Sequence, residues 1–318
     1  MLKNKLRIYT TVWGQRYIDL FEKTILRSFS WDQNKKAIFN EDYVWSVYTN
    51  AEDEEKIRSK MIKAGFENLE FRRIQVPILQ SYDNHNQVVA GYKEEKVENN
   101  HPHMGLILLK CFSTEIEECL KQNAKLLMAP PDSIFGDGTV HGILSCGTLD
   151  YTCVSVPHPR VTDLIFDDLK EMTNSELVSL SFKNLHKTWE EANVELPMIN
   201  SYVGGVQWLK IRDDLYRVCH RLPTPYLLHF KPHDLDFFKK QICFGTIDHI
   251  WPTNLIGEER IRMVGSSDVA FIVEITARCQ NIPPRYPTPP HEPDKFWRNA
   301  YHNQIYRQMY SVFRGVNG

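Results

Sequence analysis

The sequence has no apolar run that approaches the roughly 18 residues needed to span a bilayer. Its first residues, Met1-Leu2-Lys3, lead directly into a predicted strand, without the apolar core of a signal peptide. We therefore expect a cytoplasmic protein, with contact at the inner face of the membrane left open.

Neither sign of charge is in excess, because 38 Lys and Arg residues stand against 40 Asp and Glu residues, for a net charge of −2. This balance gives no global attraction to nucleic acid, and we predict no nucleic-acid partner. The seven cysteines include no CxxC pair. An odd number without a secretory signal favours reduced thiols over a disulfide framework.

Strands and helices alternate in the first half of the chain. Predicted strands at 6–12, 43–49 and 69–76 are rich in β-branched and aromatic residues. Helical patterns at 15–30 and 52–64 separate them. This β-α-β-α-β order predicts a parallel sheet with right-handed crossovers. A further helix at 105–122 leads into an apolar strand at 126–129.

The simple alternation ends near residue 160. Residues 162–185 are predicted to be helical, with Thr173 or Asn174 as the N-cap ahead of Glu176. The proline-rich segment 282–293 is expected to be extended or irregular and could be a lid or linker. A helix is predicted at 294–314; docking on its own domain is the commoner use of such a helix, and a membrane surface is the alternative.

Two acidic residues follow the predicted strand at 126–129. Asp132 comes directly after Pro130-Pro131, which cannot continue a central strand, and Asp137 lies between two glycines. Ligands of open α/β sheets bind outside the carboxyl ends of the strands. Two carboxylates there could hold Mg²⁺ or Mn²⁺ and, through it, a diphosphate. The alternative is that Asp132 caps the next segment and Asp137 belongs to an ordinary turn.

Several other charged residues have two interpretations. Lys110, on the helix at 105–122, is either a surface lysine or a phosphate partner. The locally basic segment 209–240 contains His220 and Arg221 and indicates either an anionic partner or a solvated face.

Several short motifs, each present once, follow one another in a characteristic order along the chain. They are Thr10-Thr11, Trp13-Gly14, Asp132 to Gly138, Leu185-His186, Arg217 to Pro223, Thr246-Ile247-Asp248 and Ser267-Asp268. In this order, over roughly residues 6–275, the chain resembles GT-A-type nucleotide-sugar glycosyltransferases. More narrowly, it resembles a poorly characterised group of bacterial glycosyltransferase-like sequences of similar length.

The resemblance implies an α/β fold with a Rossmann-type, mostly parallel sheet flanked by helices and a mixed α+β C-terminal half. Residues 1–160 would form the nucleotide-sugar-binding half and 161–280 the acceptor side of the same domain. The proline-rich segment and C-terminal helix would follow at 281–318. The partners would be a nucleotide-sugar donor and a glycan or related acceptor.

The resemblance also assigns roles at the donor site. Thr10, Thr11, Trp13 and Tyr17 would lie beside the base and ribose. Asp132 would take the place of the first acid in the family's Asp-x-Asp motif. This chain lacks the second acid, because Ile134 stands at its position, and whether Asp137 substitutes is left open.

Transfer from a nucleotide sugar develops negative charge on the leaving diphosphate, which a metal or basic side chains must stabilise. Lys110, His220 and Arg221 are the candidates. An inverting enzyme also needs a carboxylate base beside the acceptor hydroxyl. Asp248 and Asp268 are the candidates, with Glu274 as a further one; the alternative for each is a capping or turn residue. Retention and inversion are both left open.

Three other classes of protein compete with this interpretation. A nucleotidyltransferase can share the fold but normally carries a Gly-rich, basic phosphate loop after its first strand, which Thr11-Val12-Trp13-Gly14 is not. An oxidoreductase is disfavoured because no GxGxxG follows that strand. A catalytically silent nucleotide- or sugar-binding protein of the same fold remains open, since fold does not imply function.

Overall fold

The computed structural model describes residues 5–74, 103–147, 153–193, 199–200, 207–219, 224–235, 260–276, 287–288 and 310–316. The elements up to the fourth strand are β1 (Lys5–Thr11), α1 (Gln15–Phe21), a π-helical turn (Glu22–Leu26), α2 (Arg27–Phe29), α3 (Asp32–Phe39), β2 (Asp42–Thr49), α4 (Glu54–Lys63), β3 (Leu69–Arg73), α5 (His103–Gln122) and β4 (Lys125–Met128). Apart from the short α3, each of them lies where the sequence predicts a strand or a helix.

The remaining elements are shorter. They are β5 (Ser133–Phe135), α6 (Thr139–Cys146), β6 (Cys153–Val156), β7 (Arg160–Val161), α7 (Ile165–Asp168), α8 (Asn174–Lys183), α9 (Lys187–Glu190), β8 (Ile199–Asn200), β9 (Gln207–Arg212), β10 (Leu215–Cys219), β11 (Thr224–Leu228), β12 (Ile261–Met263), β13 (Ile272–Ile275), β14 (Pro287–Thr288) and β15 (Tyr310–Arg314).

The central sheet has seven strands in the order β12-β6-β11-β4-β1-β2-β3. β1 runs parallel to both β2 and β4, β2 runs parallel to β3, and β12 runs parallel to β6. Only β11, between β4 and β6, is antiparallel to its neighbours. The predicted α/β class with a mostly parallel central sheet is therefore confirmed.

Both faces of this sheet are covered, as a parallel sheet requires. The side chain of Ile8 on β1 belongs to a core cluster that includes Trp45 and Phe135. The next residue, Tyr9, points to the opposite face, where its ring packs 5.8 Å from that of Phe112 on α5. This alternation explains why the middle of β1 is buried at every position.

The C-terminal half adds small sheets around a separate core cluster. β9, β10 and β15 form an antiparallel sheet, and β13 lies between β5 and β7. The rings of Phe271 and Phe313 meet in this cluster with centroids 4.9 Å apart. The mixed α+β character predicted for this half is confirmed.

The predicted N-cap of the helix within 162–185 is confirmed at Thr173. Its hydroxyl accepts a hydrogen bond from the Glu176 backbone N–H, and the Glu176 carboxylate accepts one from the Thr173 N–H. This reciprocal pair satisfies donors that the first turn of α8 would otherwise leave unpaired.

The prediction of a helix at 294–314 is wrong at its end. Residues Tyr310–Arg314 form β15, which pairs antiparallel with β10, and Phe313 is buried against Phe271. Pairing with a distant strand overrides the local helical pattern here. Residues 294–309, and all of 282–293 except the short strand β14, lie outside the described residues. None of the helices in the described ranges is long and apolar enough to cross a membrane.

Candidate functional site

A cavity of about 650 Å³ opens at the carboxyl ends of β1 and β4. Eleven side chains line it: Arg16, Tyr17, Asp19, Leu20, Lys23, Asp132, Asp163, Phe166, Glu274, Ile275 and Thr276. They come from α1 and the π-helical turn after it, the turn after β4, the segment around α7 and the end of β13. The cavity thus lies where ligands of open α/β sheets bind.

The chain enters α1 through Gly14. This residue has φ of 77°, a conformation that glycine adopts without steric cost, and its N–H donates to Asp53 Oδ2 at 2.7 Å. The α1 helix presents Arg16 and Leu20 to the cavity, and the π-helical turn that follows it presents Lys23. Their spacing of three to four residues places them on one helical face.

A π-helical turn, Glu22–Leu26, follows α1 without a break. The hydroxyl of the fully buried Thr24 lies 2.6 Å from the Pro131 carbonyl oxygen and 2.7 Å from that of Leu20. Thr24 therefore ties the helix to the residue immediately before Asp132. Single π-helical turns are frequent at functional sites.

Asp132 projects from this turn into the cavity and is partly exposed. Its carbonyl oxygen accepts a hydrogen bond from the Ile275 N–H at 2.8 Å, which joins the turn to β13. Burial, followed by the negative charge of Glu274, raises the pKa of Asp132 from 3.8 to about 7. Asp132 can thus both accept and release a proton at neutral pH.

Glu274, the neighbouring carboxyl group, is held in its ionised form. Its Oε2 accepts a hydrogen bond from His158 Nε2 at 3.1 Å, and its Oε1 lies 3.1 Å from Arg160 Nε. Burial alone would raise the pKa of Glu274, but His158 and Arg160 outweigh burial and hold the pKa well below its usual range. The cavity wall therefore carries two carboxyl groups with opposite protonation preferences.

Two cationic side chains lie next to aromatic rings on the other walls. The Arg16 guanidinium carbon is 5.9 Å from the centre of the Tyr17 ring, and the Lys23 ammonium nitrogen is 5.8 Å from that of Phe166. Tyr17 is 42% exposed, so a flat ligand group could stack on its ring. Arginine and lysine are the usual partners of phosphate groups.

The predicted donor-site residues are placed differently from one another. Tyr17 and Asp132 line the cavity, and the half-buried Trp13 precedes Gly14. Thr10 is buried: its hydroxyl donates to the Ala129 carbonyl and accepts from Trp45 Nε1, each at 2.9 Å. Thr10 thus links three neighbouring segments of the sheet rather than facing the cavity.

The Thr11 hydroxyl donates to the Tyr9 hydroxyl at 2.7 Å and is partly exposed. Lys110 is exposed on α5, and Asp268 is exposed in the turn before β13, where its carboxylate accepts from the Ser266 hydroxyl. None of these three side chains is among the described residues that line the cavity. His220, Arg221 and Asp248 lie outside the described residues.

Asp137, the second acid of the predicted metal pair, has a structural contact. Its Oδ1 accepts hydrogen bonds from the N–H groups of Gln33 and Asn34, both at 3.0 Å, and so caps the first turn of α3. Within the described ranges, no three His, Cys, Asp or Glu side chains are grouped to hold a metal ion. Asp132 and Asp137 therefore do not fit as a two-carboxylate metal site, because Asp137 is oriented toward α3.

Several lining residues were not identified from the sequence. Arg16 and Lys23 carry a usable signal, since they are seven residues apart on one face of the first predicted helix. His158 and Arg160 occur in a Pro-His-Pro-Arg segment after a strand. Such a segment predicts a turn but indicates no catalytic or binding role. Phe166 carries no sequence signal at all. Glu274 was only a minor candidate for the base.

Fold and cavity together define an α/β protein with a mostly parallel central sheet and a polar cavity at its carboxyl edge. No protein-family model matches the sequence, and no curated protein matches it at a significant level. Among solved structures, the chain is similar to 4-diphosphocytidyl-2C-methyl-D-erythritol synthase from Anaerococcus prevotii. The TM-score is 0.34 and the identity 12%, over 82% of this chain and 86% of that one. A likeness at this level carries no argument about function.

Proposed function

We propose that this protein is a glycosyltransferase of the GT-A type, which transfers a sugar from a nucleotide-sugar donor to a hydroxyl group of a glycan or related acceptor. The observation that carries the proposal is the pairing of Asp132 with an ionised Glu274 in a cavity that also contains Arg16 and Lys23. Proton-accepting and anion-stabilising groups are the two requirements of this transfer.

The donor would bind along α1. The exposed ring of Tyr17 supplies a surface for the base, and Arg16 and Lys23 supply positive charge for the diphosphate. Both cations are needed in the transition state, because the bond from the anomeric carbon to the diphosphate oxygen breaks and leaves its electron pair on that oxygen.

Asp132 would act as the base. Its carboxylate accepts the proton of the acceptor hydroxyl while that oxygen forms a bond to the anomeric carbon, so the reaction inverts the configuration there. A base is most effective when its pKa lies near the working pH, and the raised pKa of Asp132 meets this condition. This role differs from the metal and donor roles that the resemblance implies for Asp132.

A divalent cation remains a prediction for the donor complex. The carboxyl and basic side chains that line the cavity are four acids and two bases: Asp19, Asp132, Asp163, Glu274, Arg16 and Lys23. This excess of acids disfavours the binding of a diphosphate that carries no bound cation. Mg²⁺ is usually held by substrate phosphates with one or two carboxylates, and Asp19 or Asp163 could contribute one.

The test is a thermal-shift screen of UDP, GDP, CMP and their common sugars, with and without Mg²⁺ or Mn²⁺. A ligand at 100 times its Kd adds about 2.7 kcal/mol of stability. For a ligand that binds, we expect Arg16→Gln and Lys23→Gln each to weaken affinity about tenfold or more, since each removes a charge-assisted contact. Lys36→Gln, on the exposed face of α3, is the matched control.

Turnover is then followed as release of the nucleoside phosphate. Sugar-dependent turnover that Asp132→Asn abolishes is the expected result. Release of pyrophosphate from a nucleoside triphosphate would instead identify a nucleotidyltransferase. Binding without turnover, toward any acceptor glycan tried, would identify a silent binding protein.

A further inference from the structure

Glu274 is fixed more firmly than a group that only lines a cavity needs to be. Its backbone N–H donates to the Pro159 carbonyl at 2.9 Å, and its two carboxylate oxygens contact His158 and Arg160. In the strand pairing, Glu274 lies opposite Arg160. Backbone and side chain are therefore both anchored to the segment 158–160.

The same strand also anchors Asp132. The residue after Glu274, Ile275, donates its N–H to the Asp132 carbonyl, so the backbones of the two acids are adjacent. Both side chains face the same cavity, and the Glu274 side chain keeps 24% of its surface exposed. An ion pair with only a structural role would have no need of this position beside a second acid.

We propose that Glu274 is a positioning residue, whose charge, fixed by His158 and Arg160, controls how tightly Asp132 binds its proton. The inference deepens the proposed function, because proton uptake by Asp132 is the step that it governs. Without Glu274, Asp132 would release its proton more readily, and its carboxylate would be a weaker base.

Other charged and titratable groups also surround the two acids. His158 and Arg160 favour the ionised form of Asp132, and the more exposed Arg16 and Lys23 line the same cavity. Tyr226 on β11 lies behind the pair and is neutral, because burial raises its pKa well above the usual value. The exposed acids Asp19 and Asp163 also line the cavity.

Burial of Asp132 and the charge of Glu274 are the two largest influences that favour protonation. Only one of them can be removed by a single conservative substitution. Glu274→Gln removes the negative charge while it keeps the size of the side chain and leaves the nearby cations in place, so Asp132 should ionise more readily. Arg160→Gln removes a cation and should have the opposite effect.

The experiment is an NMR titration of ligand-free protein labelled with ¹³C at the aspartate carboxyl carbon. The Asp132 signal is assigned by its absence in Asp132→Asn. We expect Glu274→Gln to weaken proton binding by Asp132 about tenfold or more, a shift of at least one pKa unit. We expect Arg160→Gln to strengthen it and Glu274→Asp to restore part of the wild-type behaviour.

The control variant is Glu54→Gln. Glu54 also contacts two arginines, Arg58 at 2.9 Å and Arg73 at 2.8 Å, but it does not line the cavity, so the Asp132 titration should not move. An unchanged Asp132 titration in Glu274→Gln, with a folded ¹H–¹⁵N spectrum, would overturn the inference. If Glu274→Gln does not fold, a shift of Asp132 to lower pKa in Arg160→Gln would overturn it instead.

The titration uses no sugar donor, so its outcome is independent of the proposed function. If the Asp132 pKa shifts in the expected directions but no sugar transfer is found, the inference stands and the glycosyltransferase proposal is wrong. Transfer activity with an unmoved titration would do the reverse. Where transfer is measured, the acidic limb of the kcat/KM profile should move to lower pH in Glu274→Gln.

Discussion

Replacement of Asp132 by Asn should make the protein more stable at alkaline pH, although it removes the proposed base. The folded protein binds the Asp132 proton more tightly than the unfolded chain does, because the pKa rises from 3.8 to about 7 on folding. Over this range the folded state holds more protons, so the free energy of unfolding falls as pH rises. The stabilisation is fully present only below pH 3.8 and is lost as pH passes 7.

The size of the effect follows from the same shift. One pKa unit corresponds to 1.36 kcal/mol, so the full shift of about three units is worth up to roughly 4 kcal/mol. About 1.5 kcal/mol of this is already lost at pH 5. Between pH 5 and pH 8 the stability of Asp132→Asn relative to wild type should therefore rise by about 2 to 3 kcal/mol, since asparagine carries no charge to desolvate.

The assay is urea unfolding, followed by circular dichroism at pH 5, 6.5 and 8 for both proteins. Asp213→Asn is the control: a hydrogen bond with Lys210 lowers the pKa of its exposed carboxyl group below 3.8, so its replacement should leave the pH dependence between pH 5 and pH 8 unchanged. A difference between Asp132→Asn and wild type that is the same at all three pH values would refute the reasoning. So would a difference that becomes more destabilising as pH rises.

Two further substitutions test how the cavity is built. Thr24→Val should destabilise the protein by about 1 to 3 kcal/mol in urea unfolding, because it removes the hydrogen bonds that the hydroxyl of the buried Thr24 donates to the Pro131 and Leu20 carbonyls. Thr24→Ser should keep the donor and lose less, and equal losses would contradict this account. Asp137→Ala should cost about 1 kcal/mol through the lost cap of α3 and leave nucleotide affinity unchanged, while Asp137→Asn should retain most of the stability. Loss of metal-dependent binding in a folded Asp137→Ala would instead return Asp137 to the ligand site.

Much of the N-terminal half could be predicted from local patterns. The strand predicted at 6–12 is Lys5–Thr11, and the helix predicted at 105–122 is His103–Gln122. Such segments are predictable because the strands are rich in β-branched and aromatic residues and the helices show a 3.6-residue period. The position of Asp132 at a strand's carboxyl end follows from the same pattern.

Short elements and non-local pairings were not predictable in this way. The helix α3 spans only Asp32–Phe39 and is capped by Asp137, about a hundred residues further along the chain. β15 forms a strand because β10 supplies its hydrogen-bond partners. Neither contact leaves a mark in the local sequence.

By itself, the sequence determined the alternation of strands and helices and placed one acid, Asp132, at the ligand edge of the sheet. The tertiary structure decided what surrounds that acid. It brings Glu274 from β13, with His158 and Arg160 behind it, against a turn that precedes them in the chain. A pKa depends on burial and on charges within a few ångströms, and those distances exist only once the chain has folded.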